Sequence, residues 1–173
     1  MDREALIANL VDHYKNPRHR GRLEDADISM PGGNPGCGDL VTIHLKADSG
    51  ARRIVEASFE GTGCTISQAA ASILLRKALR ERWTFDQVLG VSYEEMLDLL
   101  GREVVGFRHR CATLALGTLQ AAVKALEMDR KLRAAGYSDA EIAKLRDAVA
   151  KQAVGAGLVV GTGAEEAAEK REE

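Results

Sequence analysis

The three cysteines of this chain constrain its fold most, because each lies where one predicted secondary-structure element gives way to another. Cys37 lies in the glycine-rich segment NPGCGDL, residues 34–40. Cys64 ends the segment GTGC ahead of a predicted helix, and Cys111 directly precedes another. Glycine permits tight turns and lets another group approach the backbone closely. A fold that gathers these element ends would therefore place three thiols in one accessible pocket.

Hydrophobic periodicity predicts several helices along the chain. Leu6, Leu10, Val11 and Tyr14 place an apolar face on a first helix over residues 3–15. Two serines, each three residues before a glutamate, have the spacing of a capping box and predict helix starts. The other predicted helices span 65–81, 84–89, 92–100, a stretch from just after Cys111 to Gly136, and a final stretch that begins at Ser138.

Alternating apolar and polar residues predict one β-hairpin. Its two strands cover about residues 41–46 and 52–60, joined by the turn ADSG at 47–50. Residues 22–38 contain the stretch MPGGNPG, and because Pro and Gly interrupt regular structure, this segment is predicted to be a loop.

Composition narrows the function classes. A chain of 173 residues with 45 % hydrophobic and 29 % charged residues has enough apolar material for a packed core. Its net charge of −2 and its 4 % aromatic residues argue against nucleic acid as a partner. No apolar run reaches the length of a membrane span, and the charged start does not resemble a signal peptide. We therefore expect a cytoplasmic protein without a membrane partner, whose cysteines are free thiols or metal ligands.

The surroundings of the cysteines favour ligand chemistry. Helix N-termini and nearby cations stabilise thiolates, so low pKa values are expected for Cys64 and for Cys111, which follows the basic residues 108–110. Asp39 lies two residues after Cys37, so in extended backbone both side chains point the same way. A metal site formed by Cys37, Asp39, Cys64 and Cys111 is predicted, with His109 as a further candidate ligand.

Such a donor set, three thiolates and a carboxylate, suits tetrahedral zinc and also an iron–sulfur cluster. Durable clusters usually have four thiolates, so an oxygen ligand predicts a labile cluster that is built and handed on. Competing interpretations are buried structural cysteines, a structural zinc domain, and a thiol enzyme that uses Cys111 with His109 as base. The other histidines, His13, His19 and His44, are interpreted as surface or hairpin residues.

Four segments, HYKNPRHRG, NPGCGD, GTGCTISQAAAS and RCATLAL, resemble in order and spacing the iron–sulfur cluster scaffold family of IscU, SufU and the NifU N-terminal domain. The resemblance covers residues 1–126, which are predicted to be an iron–sulfur scaffold domain. Residues 127–173 are predicted to be a C-terminal helical extension that ends in a frayed acidic tail. The resemblance implies an α+β fold with helices packed on a small antiparallel sheet.

By the same resemblance, Cys37, Asp39, Cys64 and Cys111 would bind Zn²⁺ or Fe²⁺ or hold a transient [2Fe–2S] cluster. A pyridoxal-phosphate cysteine desulfurase would supply sulfur as a persulfide, with Cys111 or Cys37 as the acceptor, and apo iron–sulfur proteins would receive the cluster. The alternative is a SufU-like, zinc-dependent sulfurtransfer partner of the desulfurase. Either way the chain is expected to be a scaffold or relay and not an enzyme.

The chain also departs from the family patterns. Arg110 stands where IscU-type members carry a histidine before the third cysteine, and the gap of 47 residues between Cys64 and Cys111 is short for a SufU-type member. The sequence thus lies between the two branches. VVGFR at 104–108 replaces the proline-containing chaperone-recognition stretch, so an Hsp70-type chaperone is a doubtful partner. The sequence does not predict an oligomeric state.

Overall fold

The fold, described by a computed structural model over residues 2–48 and 50–155, is α+β, as the family resemblance implies. Three antiparallel strands form one sheet in the order β1-β2-β3. The elements, in chain order, are α1 (Arg3–Lys15), β1 (Ile28–Asn34), β2 (Asp39–Ala47), β3 (Ile54–Thr62), α2 (Thr65–Arg80), α3 (Phe85–Gly90), α4 (Tyr93–Leu100), α5 (Arg102–Val105), α6 (His109–Ala134) and α7 (Asp139–Gly155).

The core lies between one face of the sheet and the two long helices α2 and α6. Along β2, Val41, Ile43 and Leu45 face inward and are at most 1 % exposed. Ala69, Ala70 and Ala71 of α2 are fully buried, and these small side chains let α2 approach its neighbours closely. Each large apolar side chain buried in this way contributes about 1.5–3 kcal/mol to folding. The sheet and the two helices thus form a rigid base on which the cysteine-bearing loops sit.

Helix starts follow the predicted capping chemistry. Ser92 accepts a hydrogen bond from the backbone N–H of Glu95, whose carboxylate accepts one from the backbone N–H of Ser92. Ser138 and Glu141 form the same reciprocal pair ahead of α7. Caps of this kind contribute about 1 kcal/mol each. The two capping boxes predicted from serine–glutamate spacing are therefore confirmed.

Strand β1 corrects the prediction of a loop over residues 22–38. Residues 28–34 instead pair with β2, with Pro31 opposite Thr42. Proline is tolerated here because β1 is an edge strand and one of its sides needs no ladder hydrogen bonds. A Cβ placed on Gly32 would lie 2.1 Å from Oγ1 of Thr118 in α6. The glycine is therefore explained by the close approach of helix to strand.

Helix α1 has the predicted bounds, and of its predicted apolar face Leu10 is buried and Leu6 is partly buried. Val11 and Tyr14 are exposed, whereas His13, expected at the surface, is buried in the core with 2 % of its area exposed. Its Nδ1 lies 2.8 Å from the hydroxyl of Ser72 in α2, and Arg76 donates to its Nε2 over 3.4 Å. Because arginine can only donate, Nε2 accepts and the ring proton lies on Nδ1, which donates to Ser72. His13 thus ties α1 to α2 in its neutral form.

Acidification should destabilise the protein through His13. Burial, and then the charges of Arg18 and Arg76, hold its pKa below the ordinary value of 6.5. The folded state therefore binds this proton less readily than the unfolded state, and stability falls as the pH drops below about 6.5. The Tm should fall more between about pH 7.5 and about pH 5.5 in the wild type than in His13→Gln. The exposed His109, changed to Gln, is the control, and equal losses in all three proteins would contradict the assignment.

Helix α7 is the predicted additional C-terminal helix, and it packs on α6. Ile142 is buried at 2 % exposure, and Arg146 and Arg133 pair with Asp129 and Asp139. The predicted domain boundary between residues 126 and 127 lies within α6 and stays a prediction. The predicted frayed tail lies outside the described residues. Within the described ranges, none of the helices has the length and apolarity that crossing a membrane requires.

Candidate metal centre

The segment NPGCGDL forms the loop between β1 and β2 rather than a lead into the first strand. Asn34 and Asp39 are paired across the ladder, and the backbone N–H of Cys37 donates to the carbonyl of Asn34 over 3.0 Å. Gly38 adopts a φ of 68°, a left-handed conformation that glycine reaches without strain. The loop leaves Cys37 exposed, while Asp39, the first residue of β2, is fully buried.

Asp39 lies at the N-terminal end of α2, which begins after Cys64. Its Oδ1 accepts a hydrogen bond from the backbone N–H of Cys64 over 2.8 Å and another from the hydroxyl of Ser67 over 3.1 Å. Unpaired N–H groups at a helix N-terminus favour a negative group. Two hydrogen bonds therefore anchor the carboxylate to the start of α2.

Cys111 comes from the opposite side, in the first turn of α6. The helix begins at His109 and not after Cys111, so Cys111 is inside it. Its side chain is buried at 1 % exposure, and its sulfur accepts a hydrogen bond from the side-chain amide of Asn34 over 3.6 Å. The tip of the β1–β2 hairpin and the start of α6 are thus joined at this sulfur.

Three of the four predicted ligands meet. The sulfurs of Cys37 and Cys111 and a carboxylate oxygen of Asp39 all lie within 4.8 Å of one another. We refer to these three residues as the thiol–carboxylate cluster. The sulfur of Cys64 is not part of it, although Cys64 hydrogen-bonds to Asp39. His109 is exposed and is also outside the cluster.

The pKa of the Cys111 thiol is shifted in the direction opposite to the prediction. Burial raises the pKa of its thiol well above the ordinary value, and the neighbouring Asp39, Cys37 and Cys64 raise it further. The predicted lowering was wrong, because the position in a helix's first turn is outweighed by burial among groups that are or become negative. Burial alone would also raise the pKa of Asp39, but hydrogen bonds from Cys111, Cys64 and Ser67 lower it overall.

Comparison with known proteins identifies the family to which this chain belongs. The sequence model of the NifU-like N terminal domain matches residues 7–133, which is most of the chain. The chain belongs to this family. The predicted resemblance to the IscU, SufU and NifU N-terminal scaffolds is thereby confirmed.

Two curated relatives are named for the IscU and SufU types of scaffold. The zinc-dependent sulfurtransferase SufU of Bacillus subtilis is 35 % identical over 129 residues, covering 66 % of this chain and 86 % of that protein. The iron–sulfur cluster assembly scaffold protein IscU of Thermotoga maritima is 41 % identical over 73 residues, covering 42 % of this chain and 50 % of that protein. Sequence identity therefore does not assign this member to either branch.

A solved structure of a related protein has the same fold as this chain. The crystal structure of a SUF-system scaffold protein from Fervidobacterium islandicum matches with a TM-score of 0.55 and 27 % identity. The match covers 66 % of this chain and 93 % of that one. The sheet with packed helices is therefore the family's shared architecture.

The residues of the thiol–carboxylate cluster fit a metal ion. Around a tetrahedral ion with ligand bonds of about 2.0–2.3 Å, neighbouring ligand atoms lie about 3.3–3.8 Å apart. The three ligand atoms, all within 4.8 Å of one another, need only small shifts to surround one ion. Within the described part of the chain, Oδ2 of Asp39 is buried and has no hydrogen-bond partner. A buried carboxylate oxygen without a partner is costly, and a bound cation would offset that cost.

Sequence reasoning missed two polar residues of the site. Ser67 holds the carboxylate of Asp39, and Asn34 holds the sulfur of Cys111. Ser67 lies three residues after the N-cap Cys64, a spacing that places it in the first turn of α2. For Asn34 the only signal was its place in NPGCGD, because its partner lies 77 residues further along the chain.

Gly63→Ala should disrupt the site. A Cβ at Gly63 would lie 2.5 Å from Oδ1 of Asp39 and 2.6 Å from the hydroxyl of Ser67, so Asp39 must move. We expect a loss of about 1–3 kcal/mol in the free energy of unfolding, as in other overpacked sites, and weakened zinc binding. Gly36→Ala, whose Cβ would meet Asn34 at an ordinary 3.7 Å, is the control. Denaturant titration and a zinc competition assay measure both effects, and equal results for the two variants would contradict this account.

Proposed function

We propose that this protein is an iron–sulfur cluster assembly scaffold, which accepts sulfur from a pyridoxal-phosphate cysteine desulfurase and assembles and transfers a labile [2Fe–2S] cluster. The observation that carries the proposal is the thiol–carboxylate cluster, in which two sulfurs distant in sequence meet one carboxylate oxygen. Membership of the NifU-like family is consistent with it. Thiolates are the ligands that iron–sulfur clusters use, and the carboxylate supplies a harder, weaker ligand for them.

The fourth ligand in this proposal is Cys64. Its backbone N–H is fixed on Asp39, while its side chain is half-buried at the N-terminus of α2. The Cys64 side chain makes no capping hydrogen bond at the helix end, and its hydrogen bond to Asp39 places it beside the thiol–carboxylate cluster. Turning it toward the thiol–carboxylate cluster would complete a set of three sulfurs and one oxygen. A ligand that must rotate inward suits a cluster that is acquired and released.

Sulfur acceptance is assigned to Cys37 in this proposal. Cys37 is exposed on a hairpin loop, whereas Cys111 is 1 % exposed and beyond the reach of a partner protein's persulfide. The Cys37 thiolate would attack the terminal sulfur of the desulfurase persulfide. A new S–S bond forms on Cys37, the S–S bond of the desulfurase breaks, and the desulfurase cysteine leaves as a thiolate. Cys111 lies close enough to Cys37 to bind the product of that transfer.

A second candidate function is zinc-dependent sulfur transfer without cluster assembly. It is supported by the 35 % identity to a protein named as a zinc-dependent sulfurtransferase and by a donor set that zinc accepts. In this case zinc would hold the thiols as thiolates and Cys37 would leave the metal to take up sulfur. Both functions use the same residues, and they differ in whether an iron–sulfur cluster is assembled on them.

Anaerobic reconstitution separates the two functions. The protein is purified without oxygen, its metal content is measured, and it is incubated with ferrous iron, cysteine and a cysteine desulfurase. A scaffold develops the visible absorption of a [2Fe–2S] cluster and passes it to an apo-ferredoxin. A zinc relay stimulates the desulfurase and stays colourless. If the protein neither gains colour nor stimulates the desulfurase, but unfolds on chelation, both functions fail and a structural zinc domain is the better account.

We also propose that residues 1–126 contain all the groups that this function needs. Every member of the thiol–carboxylate cluster, together with Cys64, Ser67 and Asn34, lies before residue 127. A chain truncated after Ala134 keeps α6 whole and removes α7. Its reconstitution should match that of the full chain, and a loss of colour with the fold intact would assign a role to the segment after residue 134.

A further inference from the structure

We propose that Asn34 is a positioning residue for the metal or cluster bound by this site, and that it acts by donating its side-chain N–H to the sulfur of Cys111. This inference rests on the proposed function, because it concerns the same sulfur as a ligand. It goes beyond that function because it gives the side-chain amide of Asn34 a role in the electronic properties of the site and in its affinity for metal.

The geometry of Asn34 carries the proposal. Its amide nitrogen lies 3.6 Å from the Cys111 sulfur, a normal length for a hydrogen bond to sulfur, and both side chains are buried. Its backbone carbonyl accepts the N–H of Cys37, and its strand register pairs it with Asp39. One residue therefore contacts or pairs with each member of the thiol–carboxylate cluster.

The chemistry of the amide explains what the contact does. Three thiolates and one carboxylate carry more negative charge than a divalent ion neutralises, and this excess lies next to the protein core. A neutral N–H donor removes electron density from a ligating sulfur and adds no charge. It does not compete with the metal, because a ligating sulfur keeps lone pairs for such a bond. Hydrogen bonds to sulfur are among the means by which proteins tune such sites.

The test uses Asn34→Leu, which has a similar size and no donor. With cobalt(II) as the probe, the sulfur-to-cobalt charge-transfer band should move to longer wavelength, because the Cys111 sulfur is then richer in electrons. Zinc affinity, measured by competition with a chelator, should fall by about 10–100-fold, as for other residues that support metal ligands. A merely structural role for Asn34 would not move the charge-transfer band.

The matched control is Gln120→Leu, another amide-to-leucine change. Gln120 donates to the carbonyls of Val88 and Val91, and it lies nine residues beyond Cys111 on α6, about 14 Å along the helix. It should lower stability and leave the cobalt band and the zinc affinity unchanged. An unchanged band and affinity in Asn34→Leu would overturn the proposal. If Asn34→Leu does not fold, Asn34→Ser replaces it, since serine fits the turn and is too short to reach the sulfur.

A metal-free measurement keeps this inference separate from the proposed function. In the amide NMR spectrum of the apo protein, the side-chain NH₂ resonance of Asn34 should shift when Cys111 is changed to alanine. If the wild type binds no cobalt, the proposed function fails. The response of this resonance then tests by itself whether Asn34 donates a hydrogen bond to Cys111. A resonance that does not respond to Cys111→Ala would overturn the inference whatever the site binds.

Discussion

Cys37→Ser is expected to abolish sulfur uptake from the desulfurase. Cys37 is the exposed thiol of the thiol–carboxylate cluster, and Cys111 is buried behind it. A serine hydroxyl is a far weaker nucleophile than a thiolate, so no covalent sulfur should accumulate on the chain. Removing a ligand should also lower zinc affinity more than about 100-fold, which exceeds the usual effect of losing a supporting residue. Mass spectrometry after incubation with cysteine and the desulfurase would detect the added sulfur atom.

Two other cysteine variants make the Cys37→Ser result specific. Cys111→Ser should still accept sulfur on Cys37, because that thiol stays exposed, but should lose most of the metal affinity. Cys64→Ser should accept sulfur as the wild type does, since the Cys64 sulfur lies outside the thiol–carboxylate cluster. Uptake of sulfur on Cys111 in the Cys37→Ser protein would show that the buried thiol is reached directly, and the assignment of Cys37 would then be wrong.

Local sequence signals predicted those parts of the fold that depend on neighbouring residues. Ser92 and Glu95 are three residues apart and cap α4 as their spacing requires. Strand β1 depends instead on a distant partner. Gly32 lies against Thr118 of α6, and no local pattern reveals that a glycine is there to admit a helix. The sequence therefore predicts a loop where Pro31 and its neighbouring glycines form an edge strand.

The candidate site likewise combines features that neighbouring residues predict with features that depend on distant parts of the chain. The motifs place Cys37, Asp39 and Cys111 near element ends, and two long-range hydrogen bonds then hold the Cys111 sulfur and the Asp39 carboxylate in place. Asn34 and Ser67, which hold the sulfur and the carboxylate, come from different elements. The direction of the Cys111 pKa shift depends on burial, which arises only when α6 packs against β1 and α2 in the folded chain. The candidate ligands could be predicted from the sequence, but their electrostatic environment could not.

Asp39→Ala is expected to lengthen the retention of a reconstituted cluster severalfold and to slow its transfer to an apo-ferredoxin. Asp39 supplies the oxygen ligand of the thiol–carboxylate cluster, and its neighbourhood helps to raise the pKa of Cys111. Without the carboxylate, the Cys111 thiolate forms more readily and the iron is held by soft sulfur ligands alone. Decay of the visible absorbance and the rate of ferredoxin maturation measure the two effects.

This variant also carries a stability cost that the design must separate from its effect on the cluster. The backbone N–H of Cys64 and the hydroxyl of Ser67 lose their acceptor, which should cost about 1–3 kcal/mol. Ser67→Ala removes one of these hydrogen bonds and keeps the carboxylate, so it should lose stability without gaining retention. If the cluster decays faster in Asp39→Ala than in Ser67→Ala, the carboxylate is a retaining ligand rather than the labile one. Release must then begin at another ligand, for which the half-buried Cys64 and the exposed Cys37 are the candidates.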